Sequence, residues 1–156
     1  MDKEVVYEAL IAKLTEELNV TVGASKEAAD YATNEESRAE SKWDTQGLEA
    51  SYLAAGQAAK AHELADSIKQ LHSLKIELTS PRDTALRGAL VECDLNGFAE
   101  WFYLAPAGGG EALDIEGTEV TVITQQSPIG SQLYGKSEGA AFSLPNGAPA
   151  KVKGIH

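Results

Sequence analysis

An acid-rich segment between two helix-like stretches contains the residues of this chain that are best suited to chemistry. Five carboxylates lie between positions 35 and 49, namely Glu35, Glu36, Glu40, Asp44 and Glu49. Carboxylate oxygens are the ligands that hard cations such as Mg²⁺ prefer. A turn between helices would present these groups at the end of a helix pair, so the segment predicts either a cation-binding tip or a solvated charged surface.

Asp44 also has a structural interpretation, because it is a good residue for the start of a helix. With Asp44 as N-cap, Trp43 precedes the cap and Leu48 occupies the fourth helical position, which is the pairing of a hydrophobic staple. Thr45 is the alternative cap. Glu49 would lie in the first turn, where a negative charge stabilises the positive helix end. The two interpretations of these acids are compatible with each other.

The elements that must position this segment are two helices. Apolar residues at helical spacing predict a first helix from Lys3 to about Ser41, with a bend or break left open at Val20–Gly23 because its residues are weak helix formers. A second helix is predicted to begin after Asp44 or Thr45. The apolar stripe of the first helix comprises Val6, Leu10, Leu14 and Leu18. That of the second comprises Leu48, Tyr52, Ala55 and Ala59, followed on a slightly shifted stripe by Leu64, Ile68 and Leu71. We expect residues 1–76 to form an antiparallel coiled-coil hairpin, since each stripe can be buried only against the other.

The second half of the chain has the pattern of β-strands separated by tight turns. Asn96-Gly97 and Asn146-Gly147 favour the positive φ angles of hairpin turns. Five strands are expected, at residues 86–93, 98–104, 118–124, 140–144 and 148–155. We therefore predict an α+β fold in which residues 77–156 form a compact, mostly antiparallel sheet domain.

A short helix is predicted between the third strand and the last hairpin. Ser127 can cap this helix, and Pro128 suits its first position because the missing N–H costs nothing there. Ile129, Leu133 and Tyr134 would then pack the helix on the sheet.

Composition excludes several classes of function. The formal net charge of −11 argues against a basic nucleic-acid interface and against docking to an anionic membrane. Cys93 is the only cysteine, which excludes an intrachain disulfide, and we expect it to be a buried thiol. His62, His72 and His156 show no metal-ligand spacing. Because no signal peptide or long apolar run is visible, we expect a cytoplasmic protein.

Two motifs and the order of the two halves resemble the GreA/GreB family of bacterial transcript cleavage factors. The motifs are Ser127-Pro128-Ile129 continuing to Leu133–Lys136, and Tyr52–Ala55 after the acidic turn. The resemblance covers nearly the whole chain. It implies a coiled coil followed by an FKBP-like domain, and a monomeric, non-enzymatic factor that binds RNA polymerase at the rim of its secondary channel.

The resemblance also assigns roles to residues. Ser127, Pro128 and Ile129 would face the polymerase. Asp44 matches the family's first tip aspartate, and the tip would share an Mg²⁺ ion with the polymerase so that the polymerase cleaves the 3′ end of backtracked RNA. The family tip reads Asp-x-x-Glu, whereas the third residue after Asp44 is Gly47. The second acid is therefore Glu49 or Glu40, and no tightly bound cofactor is implied.

Other functions fit parts of the sequence. A displaced second acid suits a Gre-like regulator or inhibitor that binds polymerase without promoting cleavage. An alanine-rich second helix suits a coiled-coil adaptor, and an FKBP-like sheet suits a prolyl isomerase. The aromatic-lined pocket of an isomerase is not evident from the sequence.

Overall fold

The computed structural model describes residues 1–33 and 46–156. In the described parts, helices precede a mixed sheet, which confirms the predicted α+β class. The helices are α1 (Lys3–Thr33), α2 (Gln46–Ser73), α3 (Lys75–Thr79) and α4 (Pro128–Leu133). The strands are β1 (Leu90–Leu95), β2 (Phe98–Leu104), β3 (Ala112–Ile115), β4 (Thr118–Ile123), β5 (Ala141–Ser143) and β6 (Pro149–Ile155).

Helix α1 runs through the stretch where a break was left open. Val20–Gly23 is helical, and the hydroxyl of Thr21 donates to the carbonyl of Glu17 at 2.8 Å. Val6, Leu10 and Leu14 are buried as predicted. Seven of the buried or half-buried positions alternate by four and three residues, which is the spacing of paired helices; they are Lys3, Tyr7, Leu10, Leu14, Glu17, Thr21 and Ala24.

The interface stripe of α2 differs from the predicted one. Ala55 and Ala59 are exposed, so their assignment to the stripe was wrong. Leu64, Ile68 and Leu71 are at least partly buried, as predicted, and the partly buried positions in the preceding turns include Ala54, Gln57 and Ala61. Because Gln57 is polar, an apolar pattern could not include it, and the neighbouring alanines gave a competing register.

The described chain forms two compact units. One unit contains residues 1–12 and 68–156, and the other contains residues 13–67. In the first unit Tyr7 contacts Leu71, and in the second Glu17 pairs with Lys60 at 3.1 Å, which is the pairing of antiparallel helices. The predicted domain boundary at 76/77 lies inside α3. Whether residues 1–76 and 77–156 fold independently of each other is not tested by the structure, so this boundary stays a prediction.

The six strands form one sheet in the order β3-β4-β2-β1-β6-β5. Four of its pairings are antiparallel, and the pairing of β2 with β4 is parallel. The apolar core of the sheet includes Val91, Cys93, Phe102, Leu104, Ile123 and Val152. Since side chains alternate along a strand, Tyr103 and Val122, which are also fully buried, lie on the opposite face. Both faces of the central sheet are therefore covered.

Two hairpins are closed by turns of the same design. Asn96 and Gly97 have φ angles of 56° and 92°, as the Asn-Gly signal predicted. Glu116 and Gly117, between β3 and β4, have φ angles of 53° and 85°. In each turn an aspartate accepts a hydrogen bond from the glycine N–H, Asp94 at 2.6 Å and Asp114 at 2.7 Å. The second turn creates strand β3, which the sequence analysis did not predict.

Helices and sheet are joined by polar contacts inside the larger unit. The ammonium group of Lys3 donates to the carbonyls of Ser80 and of Gly88, the latter at 2.6 Å. The hydroxyl of Tyr103 on β2 donates to the carbonyl of Leu78 at 3.0 Å. These contacts satisfy buried groups whose desolvation would otherwise be costly.

Candidate functional site

The predicted tip acids lie almost entirely outside the described residues. Asp44 and Glu40 are in the undescribed stretch 34–45, and so is Trp43. Glu49 lies in the first turns of α2, which begins at Gln46, but its side chain is not described. The metal-binding role of these acids therefore stays a prediction.

The second predicted site, Ser127-Pro128-Ile129, forms the start of α4. Ser127 is the N-cap in an extended conformation, and its hydroxyl oxygen accepts from the N–H of Gly130 at 3.0 Å. The same hydroxyl donates to the carbonyl of Thr124 at 2.7 Å. Pro128 occupies the first helical turn, where its fixed φ is already helical. The predicted cap and proline positions are confirmed.

Gly130 is a structural requirement of this site that the sequence analysis missed. A Cβ atom at this position would lie 1.8 Å from the carbonyl oxygen of Thr124 and 2.6 Å from the hydroxyl oxygen of Ser127. The backbone of α4 can therefore approach the end of β4 only because residue 130 has no side chain. This close approach holds Ser127, Pro128 and Ile129 in one arrangement.

An open apolar cavity of about 270 Å³ lies beside the start of α4. Pro128 is exposed at the cavity, while Ile129 is half-buried and also packs against the core of the sheet. No ionisable side chain is among the lining residues, which are Gly110, Thr121, Val122, Ile123, Ser127, Pro128, Ile129 and Pro145. Such a surface is suited to an apolar side chain of a partner.

Two features of this region differ from the sequence analysis. Leu133 is buried in the core as expected, but Tyr134 is 37% exposed and does not pack into it. Tyr134 follows the last residue of α4, where the helix ends and its direction changes. Gly110 and Pro145 line the cavity although neither was predicted to belong to a site, because their placement depends on which loops the sheet topology brings together.

The hydroxyl of Ser127 and the thiol of Cys93 are both engaged or buried. Both hydrogen-bonding roles of the Ser127 hydroxyl are used by backbone groups. Cys93 is buried as predicted, and desolvation, with a smaller effect from Glu92, raises the pKa of its thiol to about 12. Within residues 1–33 and 46–156, no three His, Cys, Asp or Glu side chains are grouped so that they could hold a metal ion. None of the described helices is long and apolar enough to cross a membrane.

Comparisons with known proteins found similarity only among solved structures. No family model and no curated protein matches the chain. GreA factor homolog 1 (Gfh1) of Thermus thermophilus is 22% identical, with 95% of each chain covered and a TM-score of 0.36. Gfh1 of Thermus aquaticus is 21% identical, covering 96% of this chain and 93% of that chain, with a TM-score of 0.37. A further structure, described as the transcription factor Gfh1, is 23% identical, covering 95% and 94%, with a TM-score of 0.39. Similarity at these values assigns no function to the chain.

Proposed function

We propose that this protein is an RNA polymerase-binding factor of the GreA/GreB type. The observation that carries the proposal is the Ser127–Ile129 segment, which resembles the family's motif and forms a capped, exposed turn beside an apolar cavity. A segment fixed in this way loses little conformational entropy on binding. It is therefore well suited to dock on a protein partner.

The properties of the cavity define the kind of contact that this docking needs. Its lining is apolar and uncharged, whereas the protein as a whole carries a formal charge of −11. Burial of an apolar partner side chain there would supply affinity, with Pro128 at the rim contributing rigid contact area. The acidic remainder of the protein would favour a partner surface with positive charge.

The tip acids supply the proposed activity. Asp44, with Glu49 or Glu40, would help to hold a second Mg²⁺ ion next to the ion of the polymerase. Two metal ions held in this way would supply stabilisation of the attacking and leaving oxygens of the phosphodiester. The polymerase then hydrolyses the end of a backtracked RNA, and this protein completes an active site that it does not itself contain.

A regulator without cleavage activity is the second candidate, and one observation favours it. The position three residues after Asp44 is Gly47 and not an acid. If Glu49 and Glu40 cannot reach the metal, the protein would still occupy the polymerase and would compete with cleavage factors. The two candidates share the binding surface and differ only at the tip.

Polymerase binding is tested with variants of the exposed turn. Pro128→Ala removes rigid contact area from the rim and Ile129→Ala removes apolar surface; we expect the double variant to bind polymerase core about tenfold more weakly. Pro81→Ala, at another exposed proline, is the matched control. Equal affinity of the double variant and the wild type, with circular dichroism unchanged, would contradict the proposed docking surface.

Cleavage is tested on backtracked elongation complexes. Asp44→Ala should abolish stimulation, and either Glu49→Ala or Glu40→Ala should do the same, which would identify the second acid. Glu63→Ala, which removes an exposed carboxylate farther along α2, should have no effect. Tight binding by the wild type without any stimulation of cleavage would reject the cleavage role and favour the regulator.

A further inference from the structure

A second cavity, of about 300 Å³, lies between the first turn of α1 and the β3–β4 turn. It shares no lining residue with the cavity beside Ser127. Its lining residues are Met1, Asp2, Val5, Trp101, Ile115, Glu116 and Thr118, all within the larger compact unit. The proposed function does not use this cavity.

Apolar surface and an aromatic ring form part of the cavity wall. The ring of Trp101 is stacked with that of His156, with centroids 5.8 Å apart and planes inclined by 26°. Val5 is 46% exposed and Met1 41% exposed, which is high for large apolar side chains beside a cavity. A partner group with an aliphatic portion would cover this surface favourably.

Two exposed carboxylates stand at the same cavity. Asp2 caps the start of α1, its Oδ1 atom accepting from the N–H of Glu4 at 2.9 Å. Glu116 is held in the β3–β4 turn at a φ of 53°. The cavity is thus lined by two carboxylates, on a protein of formal charge −11. The cavity is therefore electrostatically suited to a cation.

The geometry of the β3–β4 turn does not require a glutamate at position 116. The β1–β2 turn has the same design and uses Asn96 at the equivalent position, where asparagine tolerates the left-handed conformation well. A glutamate in this conformation is energetically less favourable than asparagine or glycine. In return, the side chain of Glu116 adds a carboxylate to the cavity.

We propose that this cavity binds a lysine or arginine side chain of a partner protein. The aliphatic stem would lie along Val5 and Trp101, and the cationic head would interact with the indole face and with the carboxylates of Asp2 and Glu116. This combination of an apolar wall and an acidic rim distinguishes the cavity from the uncharged one beside Ser127. The inference does not depend on polymerase binding, and its test uses no polymerase.

The test measures binding of short peptides to the full chain by NMR. The probe is an acetylated, amidated Gly-Gly-Lys-Gly-Gly peptide, and the matched peptide has norleucine, which retains the stem without the charge. The readout is the indole N–H resonance of Trp101, assigned with Trp43→Phe because the chain has two tryptophans. The lysine peptide should shift this resonance at concentrations up to about 10 mM, the range of single side-chain sites.

Charge-neutral variants identify the groups that are responsible. Asp2→Asn preserves the helix cap and Glu116→Gln preserves the size of the side chain in the turn, so neither change should unfold the protein. Each should weaken binding of the lysine peptide by about two- to fivefold, the effect of one exposed charge pair. Glu119→Gln removes a charge from the same hairpin but lies outside the cavity lining, and it should bind as the wild type does.

Three outcomes would overturn the proposal. The first is the absence of a Trp101 shift with the lysine peptide. The second is equal binding of the norleucine peptide, which would leave only an apolar contact. The third is an equal loss in Glu119→Gln and Glu116→Gln, which would reduce the effect to general surface charge.

Discussion

At the scale of single residues, Lys3 carries a charge into the interior of the larger unit. Only 7% of the residue is exposed, and its ammonium group donates to the carbonyls of Ser80 and Gly88. Burial, and to a smaller extent the nearby Arg82, lower its pKa from 10.5 to about 8. The two carbonyls favour the ammonium form, so desolvation must outweigh them in setting the direction of the shift.

This lowered pKa predicts a pH dependence of stability. Between about pH 8 and pH 10.5 the unfolded chain keeps the Lys3 proton and the folded protein releases it. Unfolding then takes up a proton, so the free energy of unfolding should rise with pH across this window. We expect the free energy of unfolding of the wild type minus that of Lys3→Met, measured by urea denaturation, to become more positive between about pH 7.5 and about pH 10. A difference independent of pH would contradict the assigned shift.

Cys93 provides a second prediction at this scale. Its thiol is fully buried and its pKa is raised to about 12, so almost no thiolate is present near neutral pH. Iodoacetamide at pH 8 should therefore modify the native protein at least about a hundredfold more slowly than the urea-unfolded chain. Mass spectrometry of timed samples measures both rates, and rapid labelling of the native protein would show that the thiol is accessible.

The positive φ angle of Glu116 predicts a gain in stability when this residue is replaced by asparagine. Glu116→Asn should raise the free energy of unfolding by about 0.5 to 1 kcal/mol, because asparagine adopts the left-handed conformation at lower cost. Asn96→Glu, the reciprocal change in the turn of the same design, should lower it by a similar amount. Thermal denaturation of both variants measures the effects. If both changes shift stability in the same direction, the backbone conformation of the turn does not explain them.

Residues differ in how far their roles could be predicted from sequence. The cap at Ser127 depends on neighbours within three positions, and it was predicted correctly. The buried charge of Lys3 depends on carbonyls 77 and 85 positions away, so no local pattern indicates it. The tip acids were predicted from a family resemblance, and their roles remain predictions.

At the scale of elements, α4 shows how a short helix fixes a binding surface. Gly130→Ala would place a Cβ atom 1.8 Å from a backbone oxygen of Thr124, so α4 would have to move away from β4. We expect a loss of about 2 to 3 kcal/mol in the free energy of unfolding. Polymerase affinity should fall as well, since Ser127 and Pro128 move with the helix.

Gly56→Ala in α2 is the matched control for this prediction. Nothing lies within 4 Å of a Cβ atom at Gly56, so alanine should stabilise the helix by about 0.5 to 1 kcal/mol. Chemical denaturation should show a lower free energy of unfolding for Gly130→Ala and a higher one for Gly56→Ala. A stable Gly130→Ala protein with unchanged polymerase affinity would show that the close approach of α4 and β4 is not required.

Elements with strong local signals were predicted, and those set by long-range pairing were not. The Asn96-Gly97 pair correctly predicted the β1–β2 hairpin, and the alternating β-branched residues correctly predicted β4. Strand β3 was missed because it has four residues and its turn carries glutamate in place of asparagine. Along α2 the stripe was predicted correctly at Leu64, Ile68 and Leu71 but wrongly at Ala55 and Ala59, where the partly buried positions include the polar Gln57.

At the scale of the whole molecule, the base of the helices and the sheet form one compact unit. Tyr103, Val120 and Val122 are fully buried but are not members of the core cluster on the other face of the sheet. Burial, and to a smaller extent the nearby Tyr7 on α1, raise the pKa of Tyr103. The helical residues that are fully buried in this unit include Val6, Tyr7, Leu10, Leu71 and Leu78. Four of these five residues precede position 77, so the second face of the sheet is expected to depend in part on residues outside 77–156.

This dependence predicts the behaviour of two shortened chains. Residues 77–156 alone would expose Tyr103, Val120 and Val122, at a cost on the order of 5 kcal/mol, which is comparable to the whole stability of a small domain. We expect this fragment to be largely unfolded by circular dichroism at 25 °C. A chain in which a glycine-serine linker joins residues 1–12 to 68–156 keeps the covering residues, and it should unfold cooperatively. It should also bind polymerase through Ser127 and Pro128 while giving no stimulation of cleavage, because it lacks the tip. A cooperative transition in the 77–156 fragment would instead support the domain boundary predicted from sequence.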